Sequence, residues 1–290
     1  MFYRKRVVVL AEKRYLIATA CNKKYEDFLL NHWFRSLKDN VNLSETDVLI
    51  MDYGLSEDIV QKLSEQGAIV LEATKRDDLI NNARFFELAV FLKQNPNYEK
   101  VAITDSGDLI FQSDISDLFK INCKIAGVLE EISPAIVVLI KRESIRNYDE
   151  LINVLKNKKL INVGFLIGSR DFFLEVADEM LRVTKVSNVW GIDTIIPNYI
   201  AYKEGFCKLH PKYNFIPTTT VLTYKIKNGK FWFKDVDHLE IIPVVHNAGR
   251  RSILRPVLDF GYGEGYNRPK ILTILLLRAI YKILRFLTSI

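Results

Sequence analysis

The sequence predicts an α/β protein whose mixed, mostly parallel sheet is flanked by helices and is followed by a C-terminal amphipathic helix. From Tyr15 to Thr104, short apolar segments of strand length alternate with longer segments of helical periodicity, which is the pattern of β-α-β units. The fourth strand-like segment ends at a cluster of acidic residues. Because ligands bind at the carboxyl ends of the strands in open α/β sheets, we expect the functional site there.

The first half of the chain contains four predicted strands separated by three predicted helices. The helices carry apolar residues at helical spacing, and Ser56 stands where the second helix would take its N-cap. In chain order these elements are strand 15–20, helix 26–37, strand 47–51, helix 56–66, strand 68–71, helix 82–93 and strand 100–104.

After Phe119 the alternation becomes less regular. Short strands and turns dominate from 208 to 245, where Asn228-Gly229 indicates a hairpin, and 250–268 is a loop rich in glycine and arginine. We interpret residues 1–268 as one domain and 269–290 as a terminal helix. The remaining predicted elements are strands 124–129, 135–140 and 162–168, and helices 149–156, 171–184 and 191–202.

The composition is that of a globular protein, with 49% hydrophobic and 26% charged residues. The formal net charge of +6 favours anionic ligands or surfaces. Lysine and arginine are spread along the chain among acidic residues, so we expect no nucleic-acid partner.

Cysteine usage and the termini indicate a cytoplasmic protein. Cys21, Cys123 and Cys207 lie far apart without C-x-x-C spacing, which predicts a reducing compartment and no disulfide framework. The basic N-terminus is followed by an apolar run too short for a signal peptide. We also expect no ordinary transmembrane helix, because no uninterrupted apolar stretch reaches 18 residues.

Residues 270–290 form a wide apolar face with a narrow basic stripe when they are placed on a helical wheel. The stripe contains Lys270, Arg278, Lys282 and Arg285, together with Tyr281. This pattern is typical of an interfacial helix lying on anionic lipid, at the inner face of the cell membrane. The alternative is a C-terminal helix packed on the core of its own domain.

Asp105 and Asp108 follow the predicted strand 100–104, and Gly107 lies between them. Hard divalent cations need oxygen ligands, and Mg²⁺ typically takes one or two carboxylates together with substrate phosphates. The pair therefore indicates a seat for a metal ion and a diphosphate. The alternative is a solvated turn in which one aspartate caps a helix.

His246 follows the apolar run 241–245 and precedes Arg250 and Arg251. A neutral imidazole is a suitable ligand for Mn²⁺, and the two arginines could hold a diphosphate through charge-assisted hydrogen bonds. The alternatives are a structural histidine and a solvated basic loop.

Two charged residues interrupt otherwise apolar helical segments. Arg84 lies in the predicted helix 82–93, where the plainer interpretation is a surface position paired with Glu87 or Asp77. Asp193 lies in the predicted helix 191–202, which suggests a buried carboxylate with a partner, either in a site or in an internal salt bridge.

From about residue 15 to 250, the order of these features resembles the GT-A class of nucleotide-sugar glycosyltransferases, and within it glycosyltransferase family 8. The family's motifs are an acidic motif after a strand, an Asn-x-Gly strand, a Gly-hhh-Asp-Gln-x-hhh-Asn segment, a Leu-Pro-x-x-Tyr-Asn element and His-x-x-Gly. They are matched in order by Val101–Phe119, Asn162-Val163-Gly164, Gly191–Asn198, Leu209–Phe215 and His246–Gly249.

The resemblance implies a metal-dependent, retaining transfer of sugar from a nucleoside-diphosphate sugar, with a UDP-sugar as the expected donor. Asp105, Asp108 and His246 would bind Mn²⁺ or Mg²⁺, and Arg84 would contact the donor. Asn162 and Asp193 would act as catalytic residues that face the transferred sugar and the acceptor. The basic amphipathic tail is similar to those of bacterial members that act on glycan or lipid-linked acceptors, as in surface polysaccharide or lipopolysaccharide synthesis.

Three departures from the family pattern stand out. The acidic motif, Asp105-Ser-Gly-Asp108, has one extra residue between its acids, and Thr194 stands where the family has glutamine. The family's lysine after His-x-x-Gly is absent, and Arg250 or Arg251 could replace it.

Two other functions stay open at this stage. One is a nucleotidyltransferase, which usually carries a Gly-rich loop after its first strand; the corresponding residues 18–24 contain no glycine. The other is a non-catalytic, membrane-associated protein that binds nucleotide-sugars. A phosphohydrolase is disfavoured because its aspartates would follow the first strand rather than the fourth.

Overall fold

The computed structural model describes residues 13–74, 79–139, 142–185, 189–235, 238–249 and 252–287. Its strands are β1 (Tyr15–Cys21), β2 (Thr46–Asp52), β3 (Ile69–Glu72), β4 (Lys100–Thr104), β5 (Leu109–Phe111), β6 (Ile125–Leu129), β7 (Ile161–Ser169), β8 (Cys207–Lys208), β9 (Tyr224–Lys227), β10 (Lys230–Asp235), β11 (His238–Ile241), β12 (Val244–His246), β13 (Val257–Leu258) and β14 (Arg268–Pro269).

The central sheet is mixed and mostly parallel, as predicted. It has seven strands in the order β3-β2-β1-β4-β7-β6-β8. Only β7 runs antiparallel to its neighbours, β4 and β6, while the other neighbouring pairs are parallel. The carboxyl ends of β1 and β4 therefore meet at one edge, beside the amino-terminal half of β7.

Helices cover both faces of this sheet. Apolar side chains of α4, α5, α6 and α7 build a core on one face, and those of α1, α2, α3 and a π-helical segment, Leu29–Phe34, build a core on the other. The helices are α1 (Glu26–Phe28), α2 (Arg35–Asn40), α3 (Glu57–Glu65), α4 (Ile80–Gln94), α5 (Tyr148–Leu155), α6 (Arg170–Val183), α7 (Ile192–Glu204) and α8 (Ile271–Leu287).

The predicted elements of the first half are present with small shifts at their ends. The predicted hairpin is also confirmed, since β9 and β10 pair across Asn228 and Gly229, which both have positive φ as a primed turn requires. The predicted strand 135–140 is wrong. Its described part contains a 3₁₀-helix, Ile136–Leu139, whose Ile136 packs into the core. A short apolar run does not by itself distinguish a buried strand from a buried helical segment.

The segment 250–268 was predicted to be a loop, but it contains regular structure. A 3₁₀ turn, Ser252–Leu254, precedes β13, which pairs with β14 at the start of the terminal helix. The absence of a disulfide was also predicted wrongly, since the structure joins Cys123 to Cys207. Their separation of 84 residues in the chain hides the fact that β8 lies beside β6 in the sheet.

The small ribbon of β5 and β12 attaches the C-terminal part of the domain to the acidic loop. Its antiparallel register places His246 opposite Leu109. Buried Gln112, directly after β5, ties this ribbon to the sheet of β9, β10 and β11. Its side-chain nitrogen donates to the carbonyls of Phe231 and Ile242, and its side-chain oxygen accepts from the Phe231 amide.

The terminal helix α8 packs on the domain by a narrow face. Ile274 and Leu277 are buried, and Arg278 donates at 2.7 and 2.6 Å to the carbonyl oxygens of Pro217 and Thr220. Part of the predicted basic stripe therefore faces the protein. The opposite face is apolar and exposed, and includes Ile271, Leu272, Leu275, Leu276, Ile283, Phe286 and Leu287. Within the described residues no helix is long and apolar enough to cross a membrane.

Replacing Gln112 with leucine should destabilise the protein strongly. The change leaves three buried backbone groups without their partner, and each such group costs about 1–3 kcal/mol. We expect a loss of roughly 3 kcal/mol or more in the free energy of unfolding, measured by urea denaturation. Exposed Gln61→Leu is the matched control, and a loss no greater than that of the control would contradict the proposed attachment.

Candidate active site

The acidic loop begins where β4 ends, and the sheet itself fixes its first residue. The Asp105 amide donates to the Gly164 carbonyl of β7 at 2.9 Å, continuing the pairing of the two strands. The Ser106 hydroxyl donates to the Ala20 carbonyl at the end of β1. The strands on either side of β4 therefore hold the loop at the carboxyl edge of the sheet.

His246 reaches this loop from the other end of the chain. Its amide donates to the Phe215 carbonyl at 2.9 Å, and the next amide, that of Asn247, donates to the Asp108 carbonyl at 2.7 Å. Together with the β5–β12 pairing, these bonds place the imidazole against both aspartates. Backbone hydrogen bonds thus bring Asp108 and His246 together, although they lie 138 residues apart in the chain.

Asp105, Asp108 and His246 form a cluster whose ligand atoms lie within 4.8 Å of one another. The Nε2 atom of His246 lies 3.4 Å from a carboxylate oxygen of Asp105 and 3.4 Å from one of Asp108. It is buried and has no hydrogen-bond partner. Two carboxylates and one imidazole nitrogen directed at one point are a donor set suited to Mn²⁺, so the residues fit a metal ion.

Gly164 provides the space for this arrangement. A Cβ atom at this position would lie 2.2 Å from the Cε1 atom of His246 and 2.9 Å from a carboxylate oxygen of Asp105. Any side chain would therefore displace two of the three ligands. Packing alone therefore explains why a glycine occupies the third position of the Asn162-Val163-Gly164 segment.

The charges of the cluster perturb one another. Burial alone would lower the pKa of the His246 imidazole, but the nearby carboxylates of Asp105 and Asp108 raise it to about 9. Burial alone would raise the pKa of Asp105, but the Arg84 guanidinium and His246 hold it well below its usual range. Without a metal ion, a proton on His246 supplies the positive charge that the two carboxylates require.

Arg84 is buried, so the interpretation as a surface residue is wrong. Its guanidinium lies 2.6 Å from Asp105 and 3.8 Å from Asp193, which is also buried. Burial and the charge of Asp105 raise the pKa of Asp193, and Arg84 opposes that rise. The sequence interpretation of Asp193 as a buried, partnered carboxylate agrees with this contact.

Asp193 is positioned by the first turn of α7. Gly191 precedes the helix with a φ of 97°, a left-handed conformation that favours glycine. The Asp193 amide then donates to the Asn82 side chain of α4 at 3.1 Å. The two helices that carry Arg84 and Asp193 are thus joined close to the ion pair.

The second arginine of the site is Arg255, which sequence reasoning missed. Its guanidinium lies 3.0 Å from Asp108 and donates to the Gly107 carbonyl at 3.3 Å. Nothing in the arginine-rich loop distinguishes it from Arg250 and Arg251, and both of those lie outside the described residues. Asn247 fixes the loop by exchanging two hydrogen bonds with the Val257 backbone.

An open cleft of about 390 Å³ contains this cluster. Its volume falls in the range of small-molecule sites. The Tyr25 ring lies against Gly107, where a Cβ would come within 2.9 Å of it, and Trp190 closes another side. The cleft is lined by Ala20, Cys21, Asn22, Tyr25, Ile80, Asn81, Arg84, Asp105, Ser106, Gly107, Asp108, Trp190, His246, Ala248, Gly249 and Arg255.

Asn162 lies behind this cleft, where its side chain is occupied by protein. Its side-chain nitrogen donates to Glu130 at 2.6 Å, and its side-chain oxygen accepts from the Gly164 amide and from Asn214. Burial raises the pKa of Glu130 to about 7. Glu130 was not among the predicted site residues, and Asn214 entered only as part of the matched Leu209–Phe215 element, without a role of its own.

The fold is that of glycosyltransferases with a Rossmann-like core, which confirms the predicted fold class. No protein-family model matches the chain, and no curated protein matches it in sequence. Solved structures resemble it in fold. The bifunctional glycosyltransferase WbbM in its apo form aligns with a TM-score of 0.59 at 12% identity, over 95% of this chain and 52% of that one. The chain thus spans about half the length of WbbM.

The galactosyltransferase LgtC is similar over nearly its whole length. Its complex with donor and acceptor sugar analogues aligns with a TM-score of 0.50 at 14% identity, over 91% of this chain and 95% of that one. An active-site mutant of LgtC aligns with a TM-score of 0.51 at 12% identity, with the same coverage. At such identities the likeness concerns the fold.

The metal-free protein should lose stability as the pH rises from 6.5 to 9. The folded-state pKa of His246 lies above its usual value, so its contribution is complete below pH 6.5 and is lost as the pH passes about 9. We expect a loss of about 3 kcal/mol that His246→Gln does not show, measured by denaturation in EDTA. Mn²⁺ should stabilise the wild type more at pH 9 than at pH 6.5, because binding requires a neutral imidazole. Equal pH profiles for the two proteins would contradict the buried ion pairs.

Proposed function

We propose that this protein is a metal-dependent glycosyltransferase that moves a sugar from a nucleoside-diphosphate sugar to a glycan or lipid-linked acceptor. The observation that carries the proposal is the buried Asp105–Asp108–His246 cluster at the carboxyl edge of a glycosyltransferase fold. The unpartnered Nε2 atom of His246 supports a metal ion at this point.

The cleft suits a diphosphate because its charge turns positive when a metal ion is present. Asp105, Asp108 and Asp193 carry three negative charges, and Arg84 and Arg255 carry two positive charges. A divalent ion beside a neutral His246 leaves one net positive charge among these groups. A negatively charged diphosphate would thus enter a site in which positive charge exceeds negative charge. Mn²⁺ is the expected ion, with Mg²⁺ as the alternative.

The chain's own residues would place the reacting bond. Transfer breaks the bond between the anomeric carbon and a diphosphate oxygen and forms a bond to an acceptor hydroxyl. When bound, the metal ion supplies Lewis-acid stabilisation of the leaving diphosphate. Arg255 lies at the cleft surface, where its guanidinium can add preorganised positive charge to the same group. Arg84 holds Asp105 from behind, and the predicted roles of Arg250 and Arg251 remain part of the proposal.

Asp193 and Asn162 lie behind the residues that line the cleft. We propose that Asp193 acts on the donor through Arg84, which contacts Asp105, and that Asn162 acts through its hydrogen-bonded neighbours. A direct contact of either side chain with the transferred sugar stays a prediction.

The exposed face of α8 supports a membrane-borne acceptor. Leu272, Leu276 and Phe286 share one stripe of the helix and are 83, 60 and 67% exposed. Contiguous apolar surface of this kind marks interaction sites, and the exposed Lys282 can meet anionic headgroups. Ile253, which is 73% exposed, stands two residues before Arg255 of the cleft. We propose that α8 binds the inner face of the cell membrane and presents the cleft to a lipid-linked glycan.

Nucleotide-sugars should bind only together with the metal ion. We expect a rise in melting temperature with one family of nucleoside diphosphates, UDP in the first place, that requires Mn²⁺. Asp108→Asn should abolish this rise, because it removes one charged ligand. Asp117→Asn, an exposed aspartate nearby in sequence, is the control. No shift with any nucleotide in the presence of Mn²⁺ would contradict the proposal, and turnover into a nucleotide-sugar would favour the nucleotidyltransferase.

Polar substitutions on the exposed stripe of α8 should release the protein from lipid. Leu272→Ser, Leu276→Ser and Phe286→Ser combined should weaken binding to phosphatidylglycerol vesicles roughly tenfold or more, since each removes apolar area from the contact. Sedimentation with vesicles measures the change. Leu181→Ser and Val221→Ser, at exposed positions outside α8, should have no effect. Unchanged binding of the α8 variant would contradict membrane docking by this face.

A further inference from the structure

Three side chains, of which Asn214 and Glu130 are buried, connect His246 through β7 to the end of β6. Asn214 contacts the Nδ1 atom of His246 through its side-chain oxygen at 3.0 Å. The side-chain nitrogen of Asn214 donates to Asn162 at 2.9 Å, and the nitrogen of Asn162 donates to Glu130 at 2.6 Å. Asn214 is 2% exposed and Glu130 is 7% exposed.

The direction of every hydrogen bond in this chain follows from one backbone group. The Gly164 amide donates to Asn162 at 3.0 Å, and an amide N–H can only donate, so the atom that receives it must be the oxygen of the Asn162 side chain. The nitrogen of Asn162 then faces Glu130, whose carboxylate accepts. The Asn162 oxygen also faces Asn214, and because an oxygen of this kind can only accept, the atom of Asn214 that contacts it must be the side-chain nitrogen.

The same logic determines the tautomer of His246. Since the nitrogen of Asn214 faces Asn162, its oxygen faces the imidazole and can only accept. The Nδ1 atom of His246 must therefore carry a proton. In the neutral ring the Nε2 atom is then left with its lone pair, directed between Asp105 and Asp108.

We propose that Asn214 is the positioning residue of the metal centre, and that it holds His246 as the Nδ1–H tautomer through a hydrogen-bond chain that runs by Asn162 to Glu130. The inference deepens the proposed function, because its purpose is to present a ready metal ligand. The partner of the second ring nitrogen sets ligand orientation and basicity in metal sites, and its loss typically costs 10- to 100-fold in metal affinity.

Binding of Mn²⁺ alone, measured by electron paramagnetic resonance of the free ion, tests the consequence. Asn214→Leu should weaken binding about 10- to 100-fold. Asn214→Asp keeps an acceptor toward Nδ1 and should retain most of the affinity. Asn95→Leu, which also removes a buried side-chain amide but lies at the end of α4, should leave Mn²⁺ affinity unchanged. Equal affinity in Asn214→Leu and the wild type would overturn the inference.

A second readout needs no metal ion and no variant of Asn214. Two-bond ¹H–¹⁵N correlation spectra of the metal-free wild type, recorded at a pH at which the same spectra show the imidazole to be neutral, should show the Nδ1–H tautomer of His246. Its signal is assigned by its loss in His246→Gln. An Nε2–H tautomer would overturn the inference even if Asn214→Leu failed to fold. A wild type that binds no Mn²⁺ but shows the Nδ1–H tautomer would defeat the proposed metal centre and leave the positioning role intact.

Discussion

The buried charges at the end of β4 constrain everything else in this molecule. Asp105, Asp108 and Asp193 are carboxylates placed in or beside the core, and carboxylates in such a place need compensating charge and hydrogen bonds. Arg84 and Arg255 supply two positive charges. The third comes from a proton on His246 or from a metal ion, and the two carboxylates that would bind the ion also raise the pKa of His246.

The fold meets this demand with distant parts of the chain. Arg84 comes from α4, the acidic loop follows β4, His246 ends β12, and Arg255 follows it. The antiparallel pairing of β5 and β12 brings His246 and Arg255 to Arg84 and the acidic loop. The hydrogen bond from the Asn247 amide to the Asp108 carbonyl has the same effect. The precision of the site therefore rests on backbone hydrogen bonds of a small ribbon, while the central sheet provides the platform.

Much of this could be predicted from the sequence, and the limits have physical causes. The alternation of elements and the acidic loop at a strand end are local patterns, so periodicity and turn residues were sufficient. The three members of the Asp105–Asp108–His246 cluster were predicted, and the structure brings them together. Arg255 was missed because the segment 250–268 carries four arginines, and only tertiary folding selects among them. Glu130 was missed, and Asn214 was matched to a motif without a role, because a buried polar residue shows its importance through its partners and the sequence does not show which residues become neighbours.

The same distinction applies to the predicted strand 135–140 and to the disulfide. Both outcomes depend on which segments become neighbours in the folded protein. An apolar run or a cysteine spacing does not contain that information. The terminal helix shows the intermediate case. Its amphipathic pattern was evident from the sequence. The sequence did not show that Arg278, part of the basic stripe, would face the domain and donate to the carbonyls of Pro217 and Thr220.

The most direct test of the account is a crystal structure of the protein grown with Mn²⁺ and UDP, with anomalous diffraction recorded at the manganese edge. The account predicts one anomalous peak in contact with the Nε2 atom of His246 and with carboxylate oxygens of Asp105 and Asp108, and with diphosphate oxygens on its open side. A diphosphate bound by Arg255 alone, with His246 still paired to the two aspartates and no peak between them, would contradict it.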